Sequence, residues 1–335
     1  MKAISSTSTD LATTILSGES RSIANATNTG SAGEKSTGAI ECESRRTSGA
    51  AEKLRARSQE ITVMPIITIY QGASGEGQEL AESAAQALGY RCVGREVLVE
   101  ASRRYSIPEA KLNEIVEKGP HWWERLLQDL HPYRTELQAV LSELAHDGKL
   151  VYHGHLGHEL LPGVGHVLKV LLTAPIEYRI EQIRVRQNLT DTAARHYLEE
   201  VDKARSRRLM AMFGTDWRDP NRFDLVLNMS KMRRDGAKRV IVETAKLEEY
   251  QPSAASNQAF DDLALGSRVH SVLFASPDVR GSALEVRANR GSITVSGRVD
   301  QGQEDEVVRL VKSVPGVTNV TTDVYSVPPD AYLGP

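Results

Sequence analysis

Residues 66–80 read Ile66-Ile67-Thr68-Ile69-Tyr70-Gln71-Gly72-Ala73-Ser74-Gly75-Glu76-Gly77-Gln78-Glu79-Leu80. The first five residues are mainly β-branched and apolar, which predicts a buried strand. A glycine-rich turn follows, and from Glu76 onward the apolar residues return at helical spacing. This order is the layout of a phosphate-binding loop, because backbone N–H groups and the positive end of a helix dipole converge on the turn.

The loop departs from the strict pattern G-x-x-x-x-G-K-[ST] at its last two positions. Lysine normally neutralises the outer phosphates and the hydroxyl ligates magnesium, but this chain has Gln78 and Glu79 there. Gln78 can donate hydrogen bonds without charge, and Glu79 repels phosphate unless its side chain points away. A plain strand–turn–helix corner is therefore the alternative. The residues that we predict to bind nucleotide phosphates are Gly72, Ser74, Gly75, Glu76, Gly77 and Gln78.

The composition is that of a globular protein with room for about two domains. The chain has 335 residues, of which 40% are hydrophobic and 25% charged. The net charge of -3 gives no electrostatic reason to expect a nucleic-acid partner. No apolar run approaches the roughly 18 residues that span a bilayer, and the start lacks the apolar core of a secretion signal. The two cysteines indicate no disulfide framework, so we expect a cytoplasmic protein.

The order of the patterns predicts an α/β fold with a second, smaller unit. Residues 1–60 are rich in small and polar residues, which predicts a disordered tail. Strands alternate with helices over residues 61–250, which indicates a mostly parallel sheet with flanking helices. Residues 251–261 are typical of a linker. Residues 262–328 predict a small α/β domain.

Several elements are predicted in more detail. Asp191 is placed to cap a helix that runs to about Phe213, and a later helix is expected from Asp235 to about Tyr250. A strand is expected to begin at Phe223. In the second unit, Asn289-Arg290-Gly291 joins two alternating strands and is typical of a tight hairpin turn.

Four segments, taken in order, carry a family resemblance. The first is the strand and loop, continued through Leu88-Gly89-Tyr90 and Arg95-Glu96-Val97-Leu98. The second is Val151-Tyr152-His153-Gly154-His155, and the third is Leu168 to Pro175 with Arg179 and Arg184. The fourth is Asp202-Lys203-Ala204-Arg205 with Trp217-Arg218-Asp219-Pro220 and Phe223 to Asn228. Residues 64–245 thereby resemble the cytidylate kinase-like family of P-loop nucleoside monophosphate kinases.

The resemblance implies phosphoryl transfer from ATP to a nucleoside monophosphate, with magnesium. Positioning and charge neutralisation dominate such reactions, and arginine forks suit phosphate. By resemblance, the lid that closes over the phosphates is formed by Arg179, Arg184, Arg205 and Arg208. Arg95 and His155 are expected on the substrate side, although His155 stands where the family has Gly-Arg. Pairing with Glu199, Glu200 and Asp202 within one helix is the alternative for Arg205 and Arg208.

The histidines of the turn after the third predicted strand are candidates for a metal site. His153, His155 and His158 have a spacing at which imidazoles can bind zinc. However, Gly154 and Gly157 mark a turn, which favours a structural or phosphate-facing role. We therefore predict no metal site at these histidines.

The end of the chain carries a second resemblance. Gly291-Ser292-Ile293-Thr294-Val295-Ser296-Gly297-Arg298-Val299 and Val314-Pro315-Gly316-Val317-Thr318-Asn319-Val320 resemble a BON domain. That resemblance implies a module that binds a phospholipid surface or another protein.

Two hypotheses for function follow. The first is a nucleotide-binding protein that phosphorylates a pyrimidine nucleoside monophosphate and carries a BON module. The second is a catalytically inactive nucleotide sensor or scaffold whose degenerate loop has lost turnover.

Overall fold

The computed structural model describes residues 65–71, 77–105, 130–279 and 283–327. The predicted tail of residues 1–60 and the loop positions Gly72, Ser74, Gly75 and Glu76 lie outside these ranges. The strands and helices are β1 (Ile66–Gln71), α1 (Gly77–Leu88), β2 (Arg91–Val93), α2 (Glu96–Tyr105), α3 (Leu130–Leu144), β3 (Leu150–His153), α4 (Gly157–Leu160), β4 (Val167–Thr173), α5 (Ile176–Gln187), α6 (Asp191–Phe213), β5 (Leu225–Asn228), α7 (Arg234–Ala245), α8 (Ala254–Ala275), β6 (Ala283–Asn289), β7 (Ser292–Asp300), α9 (Glu304–Lys312) and β8 (Asn319–Val327).

The first sheet has five parallel strands in the order β2-β3-β1-β4-β5. Strand β1 lies at its centre, with Ile67 opposite Val151 of β3 and Ile66 opposite Val167 of β4. The α/β fold with a parallel sheet and flanking helices is thus confirmed. Since parallel strands end at the same edge, the carboxyl ends of β1 and β3 are neighbours.

Both faces of this sheet are buried, as the continuous apolar run of β1 predicts. Ile66 and Tyr70 point into one core, which also contains apolar residues of α2, α3, α4 and α6. Ile67 and Ile69 point into the other, which α1 and α7 cover. The alternation follows from the period of two in a strand.

The second sheet has three strands in the order β6-β7-β8. Strands β6 and β7 form an antiparallel hairpin, and β8 runs parallel to β7. Arg290 and Gly291 connect the hairpin with φ of 48° and 82°, which is the two-residue turn with positive φ at both positions. The predicted hairpin is confirmed.

The predicted linker is largely wrong, because helix α8 begins at Ala254. Ser253 Oγ accepts from the N–H of Ser256 at 3.1 Å, and Ser256 Oγ accepts from the N–H of Ser253 at 2.9 Å. This capping box starts a helix, although serines at these positions are also typical of a linker.

Helix α8 packs against both sheets. Near its start, Phe260 packs in the core of the first sheet. Further along, Val269 and Leu273 pack in the core of the second sheet with Val307 of α9. The two sheets are therefore joined by one packed helix.

Three smaller boundaries also differ from the prediction. Thr190, rather than Asp191, caps α6, since its Oγ1 accepts from the N–H of Ala193 at 3.3 Å. Helix α7 ends at Ala245, and a separate short 3-10 turn covers Glu248–Tyr250. Strand β5 begins at Leu225 rather than Phe223. Within the described residues, no helix combines the length and apolarity needed to cross a membrane.

Candidate functional site

A cavity of about 350 Å³ lies where β1 and β3 end and α1 begins. Helices α5 and α6 supply its other side. Among the described residues, its lining contains two arginines, two histidines and no carboxylate. These residues are Ile69, Gln71, Gly77, Gln78, His153, Gly154, His155, Ile183, Arg186, Gln187, Tyr197 and Arg205. The arrangement favours an anion.

The first turn of α1 is closely covered by the last residue of β1. The N–H of Gly77 donates to Oε1 of Gln71. A Cβ atom added at Gly77 would overlap that oxygen, so the Gln71 side chain would have to shift if another residue stood at position 77. The Gln71 carboxamide therefore occupies the place at the helix N-terminus where a phosphate oxygen would bind.

Gln78 and Glu79 replace the lysine and the hydroxyl residue of the strict pattern, and only Gln78 lies at the cavity. The Gln78 side chain lies at the cavity but donates from Nε2 to Oε1 of Glu82 at 2.9 Å. Glu79 forms an ion pair with Arg234 of α7, and both side chains are half exposed. Glu79 thus points away from the cavity, which removes the repulsion expected for a carboxylate in this loop.

Arg205 of α6 brings a positive charge to the start of the loop. Its Nη1 donates to the backbone oxygen of Gln71 at 3.1 Å, and its Nη2 lies 2.9 Å from Nε2 of His155. Arg205 therefore binds the end of β1 and the turn after β3 rather than a carboxylate on its own helix. Two predicted site residues, Arg205 and His155, are brought together here.

The other predicted arginines lie elsewhere. Arg179 forms a two-bond ion pair with Asp202, at 2.8 and 2.7 Å, and its guanidinium lies 5.8 Å from the ring centre of Trp217. Arg184 is exposed and pairs with Glu181 one turn earlier, at 2.7 Å. Arg208 is buried, and Arg95 is exposed immediately before α2. None of these four lines the cavity among the described residues.

Arg186, Gln187 and Tyr197, polar residues that α5 and α6 contribute to the cavity, were not among the predicted site residues. A signal existed for Arg186. It lies three residues after Ile183, which itself lies four residues after Arg179, so these side chains share one face of α5. Arg184 falls outside that face.

The histidine-rich turn is held by packing. A Cβ at Gly154 would lie 2.4 Å from Oη of Tyr152, so the ring of Tyr152 explains this glycine. His158 is buried, stacks on Phe223 at 4.7 Å and meets the edge of Tyr70 at 5.0 Å. In the part of the chain that the structure describes, no three His, Cys, Asp or Glu side chains are grouped to hold a metal ion.

We expect the free energy of unfolding to fall as the pH drops below about 6.5. Burial lowers the pKa of His153, His155, His158 and His166 in the folded chain, that of His158 to about 3. The unfolded chain therefore binds more protons in this range, and stability is lost as the pH falls. Burial raises the pKa of Glu136 to about 8, so at this carboxyl the folded chain binds more protons than the unfolded chain between about pH 4.5 and pH 8. This carboxyl therefore opposes the loss of stability that the histidines cause as the pH falls.

Urea unfolding followed by circular dichroism at several pH values between about 7 and 5 measures this slope, of order 1 kcal/mol per pH unit for each histidine. His158→Leu should flatten it, whereas His196→Gln at an exposed position of α6 should not. A stability that is constant over this range would contradict the prediction.

A larger cavity, of about 680 Å³, lies away from the loop, between α3, α8 and the β6–β7 turn. Its lining mixes acidic side chains, including Asp261 and Asp262, with Arg268 and Arg290. Since Asp262 Oδ1 accepts from the N–H of Arg290 at 2.6 Å, part of this lining is already engaged within the chain.

Comparison with known sequences supports both resemblances. Residues 66–231 match the model of the cytidylate kinase-like family, and residues 261–327 match that of the BON domain. A cytidylate kinase from Haloarcula marismortui is 24% identical over 196 residues, which are 58% of this chain and 95% of that protein. One from Sulfurisphaera tokodaii is 33% identical over 92 residues, or 28% of this chain. The match spans about half, 51%, of that relative's length.

The chain is also similar to solved structures. An uncharacterized protein from Eubacterium ventriosum aligns with a TM-score of 0.43 and 14% identity, over 54% of this chain and 98% of that one. A shikimate kinase from Bacteroides thetaiotaomicron aligns with a TM-score of 0.34 and 12% identity, over 55% and 99%.

The family models match the segments that carry the sequence motifs, and the first of them ends beyond the five-stranded sheet. Residues 66–231 are therefore identified as a cytidylate kinase-like domain, and residues 261–327 as a BON domain.

Proposed function

We propose that the cavity at the loop binds ATP and that the domain transfers its terminal phosphoryl group to a pyrimidine nucleoside monophosphate. The observation that carries this proposal is the position of Arg205. Its guanidinium donates to the carbonyl oxygen of Gln71, the residue directly before the glycine-rich loop. It supplies there the positive charge that Gln78 does not. Relatives named cytidylate kinase support the pyrimidine substrate.

Each cavity residue has a role in this proposal. The N–H groups at the start of α1, with that of Gly77, donate to phosphate oxygens once the Gln71 carboxamide moves aside. Arg205 and Arg186 neutralise the charge that spreads over the phosphoryl oxygens during transfer. Arg95 lies at the carboxyl end of β2, where the acceptor monophosphate is proposed to bind.

Magnesium enters the proposal as part of the nucleotide complex. The described lining offers no carboxylate, and no group of three metal-binding side chains exists within the described ranges. Magnesium keeps several waters and is commonly held by substrate phosphates. We therefore propose that the triphosphate brings the ion, and that the loop hydroxyl of Ser74 is its nearest candidate ligand in the sequence.

A second candidate function is a nucleotide sensor without turnover. The absence of the loop lysine favours it, as does the Gln71 side chain over the N–H of Gly77. In that case the BON domain would transmit nucleotide binding to its partner through α8, which packs against both sheets.

Turnover of purified full chain separates the two candidates. With ATP, magnesium and a panel of monophosphates, we expect ADP formation above background, highest with a cytidine or other pyrimidine monophosphate. Nucleotide-dependent thermal stabilisation without ADP formation would leave only the sensor. Neither turnover nor stabilisation would remove both candidates.

The BON domain is proposed to bind a phospholipid surface or a protein partner, in the cytoplasm. Deleting residues 262–328 would cut α8 behind Phe260, so the test should use the full chain. Co-sedimentation with anionic and with neutral vesicles tests for lipid binding. If the chain binds neither kind of vesicle, a protein partner is the remaining proposal.

A further inference from the structure

We propose that His155 is a positioning residue, whose imidazole holds the guanidinium of Arg205 against the start of the glycine-rich loop. The inference rests on the proposed nucleotide site and adds to it how the replacement cation is fixed. The resemblance places His155 on the substrate side, at the position where the family has Gly-Arg. Its contact in the structure is with Arg205.

The donor and acceptor roles in this contact are determined by chemistry. A guanidinium has only N–H donors and stays charged in proteins. Nη2 of Arg205, 2.9 Å away, must therefore donate, and Nε2 of His155 must accept. A neutral imidazole that accepts at Nε2 carries its proton on Nδ1. Nδ1 of His155 is buried, with no hydrogen-bond partner among the described residues.

The hydrogen bonding of His155 through only one of its ring nitrogens, within the described residues, indicates the role of the side chain. Most buried polar side-chain atoms have a hydrogen-bond partner. Here Nε2 is bound and Nδ1 is not. The bond to Arg205 is thus the interaction that the imidazole provides.

The surroundings of His155 keep it neutral. Burial lowers its pKa well below the usual value, and the positive charges of two arginines on α6 lower it further. A protonated imidazole could not accept from Arg205 and would repel it. The titratable and charged groups that face the ring are Arg205 and Arg208 of α6, His153 of β3, His158 of α4 and Tyr70 of β1, whose ring centre is 5.9 Å away.

The consequence concerns phosphate binding. The bonds to Gln71 and His155 use two of the five N–H groups of the guanidinium, so the others can donate to phosphate oxygens. A cation held at two points loses little freedom when the nucleotide binds. The charge reaches the loop from α6, rather than from the helix that follows the loop.

Nuclear magnetic resonance tests the inference without nucleotide. In the full chain labelled with ¹⁵N-histidine, His155 is assigned by comparison with His155→Gln. We expect the Nδ1–H tautomer and no titration of His155 between about pH 8 and pH 6. In Arg205→Met its pKa should rise. An Nε2–H tautomer, a wild-type pKa near the ordinary value, or no response to Arg205→Met would each overturn the proposal.

A double-mutant cycle tests the functional consequence. His155→Leu should lower kcat at least about tenfold, and His155→Gln, whose amide oxygen can accept the same bond, should recover most of that loss. His155→Leu combined with Arg205→Ala should be no slower than Arg205→Ala alone. Independent, additive effects would overturn the proposal.

The resonance experiment and the double-mutant cycle together distinguish failure of this inference from failure of the proposed function. If wild-type chain shows no turnover, the same cycle is read from nucleotide-induced thermal stabilisation. If it shows neither, the proposed function fails, whereas the resonance experiment still decides whether His155 holds Arg205.

Discussion

Arg205→Ala is expected to lower kcat for phosphoryl transfer at least about 100-fold. Arg205 reaches the carbonyl oxygen of Gln71 and is the predicted lid arginine that lies at the cavity. Because the loop has no lysine, removal of this guanidinium takes away a charge that nothing on the loop replaces. Steady-state kinetics with ATP and a pyrimidine monophosphate measure the effect.

Arg205→Lys and Arg184→Ala are informative companions. Lysine keeps the charge but cannot bridge Gln71 and His155 with a planar fork, so we expect partial recovery only. Arg184 pairs with Glu181 on the exposed side of α5, and its replacement should change kcat by less than about twofold. Equal losses in Arg184→Ala and Arg205→Ala would show that the cavity at the loop is not the site.

The melting temperature of each variant must be measured beside its kinetics. A loss of kcat with an unchanged melting temperature assigns the effect to the site. If wild-type chain lacks turnover, the expected result for Arg205→Ala is loss of the thermal stabilisation that nucleotide gives.

Much of the fold could be predicted because its signals are local. The β-branched run of Ile66 to Tyr70 specifies a strand buried on both faces. The Asn289-Arg290-Gly291 turn specifies a hairpin, since its central residues must adopt positive φ. The prediction of a linker was wrong because Ser253 and Ser256 suit a linker as well as they suit a capping box. Packing of Phe260 decides between them, and packing is not a local signal.

The site was less predictable because it depends on distant contacts. Arg205 and Gln71 are 134 residues apart, and only the packing of α6 brings them together. The resemblance supplied Arg205 as a candidate but gave no means to rank it above Arg184. For α5, the helical period does indicate which side chains share one face of the helix. It groups Arg186 with Arg179 and Ile183, and the structure places Arg186 and Ile183 at the cavity.

Asp202→Ala is expected to destabilise the folded chain by about 3 kcal/mol, because it leaves the guanidinium of Arg179 buried and unpaired. The Arg179 side chain is 10% exposed and that of Asp202 is 23% exposed, so solvent screens this pair little. The melting temperature should fall by about 6–12 °C. Thermal and urea unfolding of the full chain measure the change.

Glu181→Ala is the matched control, since it also removes a carboxylate from an arginine of α5. Arg184 and Glu181 are 46% and 51% exposed, and we expect a change of less than about 0.5 kcal/mol. If the two variants are equally stable, the pair of Arg179 and Asp202 contributes little, and Arg179 is free to act on phosphate as the resemblance implies.

The role of Arg179 can then be decided by a rescue experiment. Arg179→Met removes both its ion pair and its charge, so it should lower stability and turnover together. Adding Asp202→Leu removes the carboxylate that is left unpaired and should restore much of the stability, because apolar replacements of buried ion pairs are often neutral or stabilising. If turnover returns with stability, Arg179 supports the fold through α5 and α6. If stability returns and turnover does not, the guanidinium of Arg179 acts on the phosphates, and closure of α5 and α6 over the nucleotide would have to release it from Asp202.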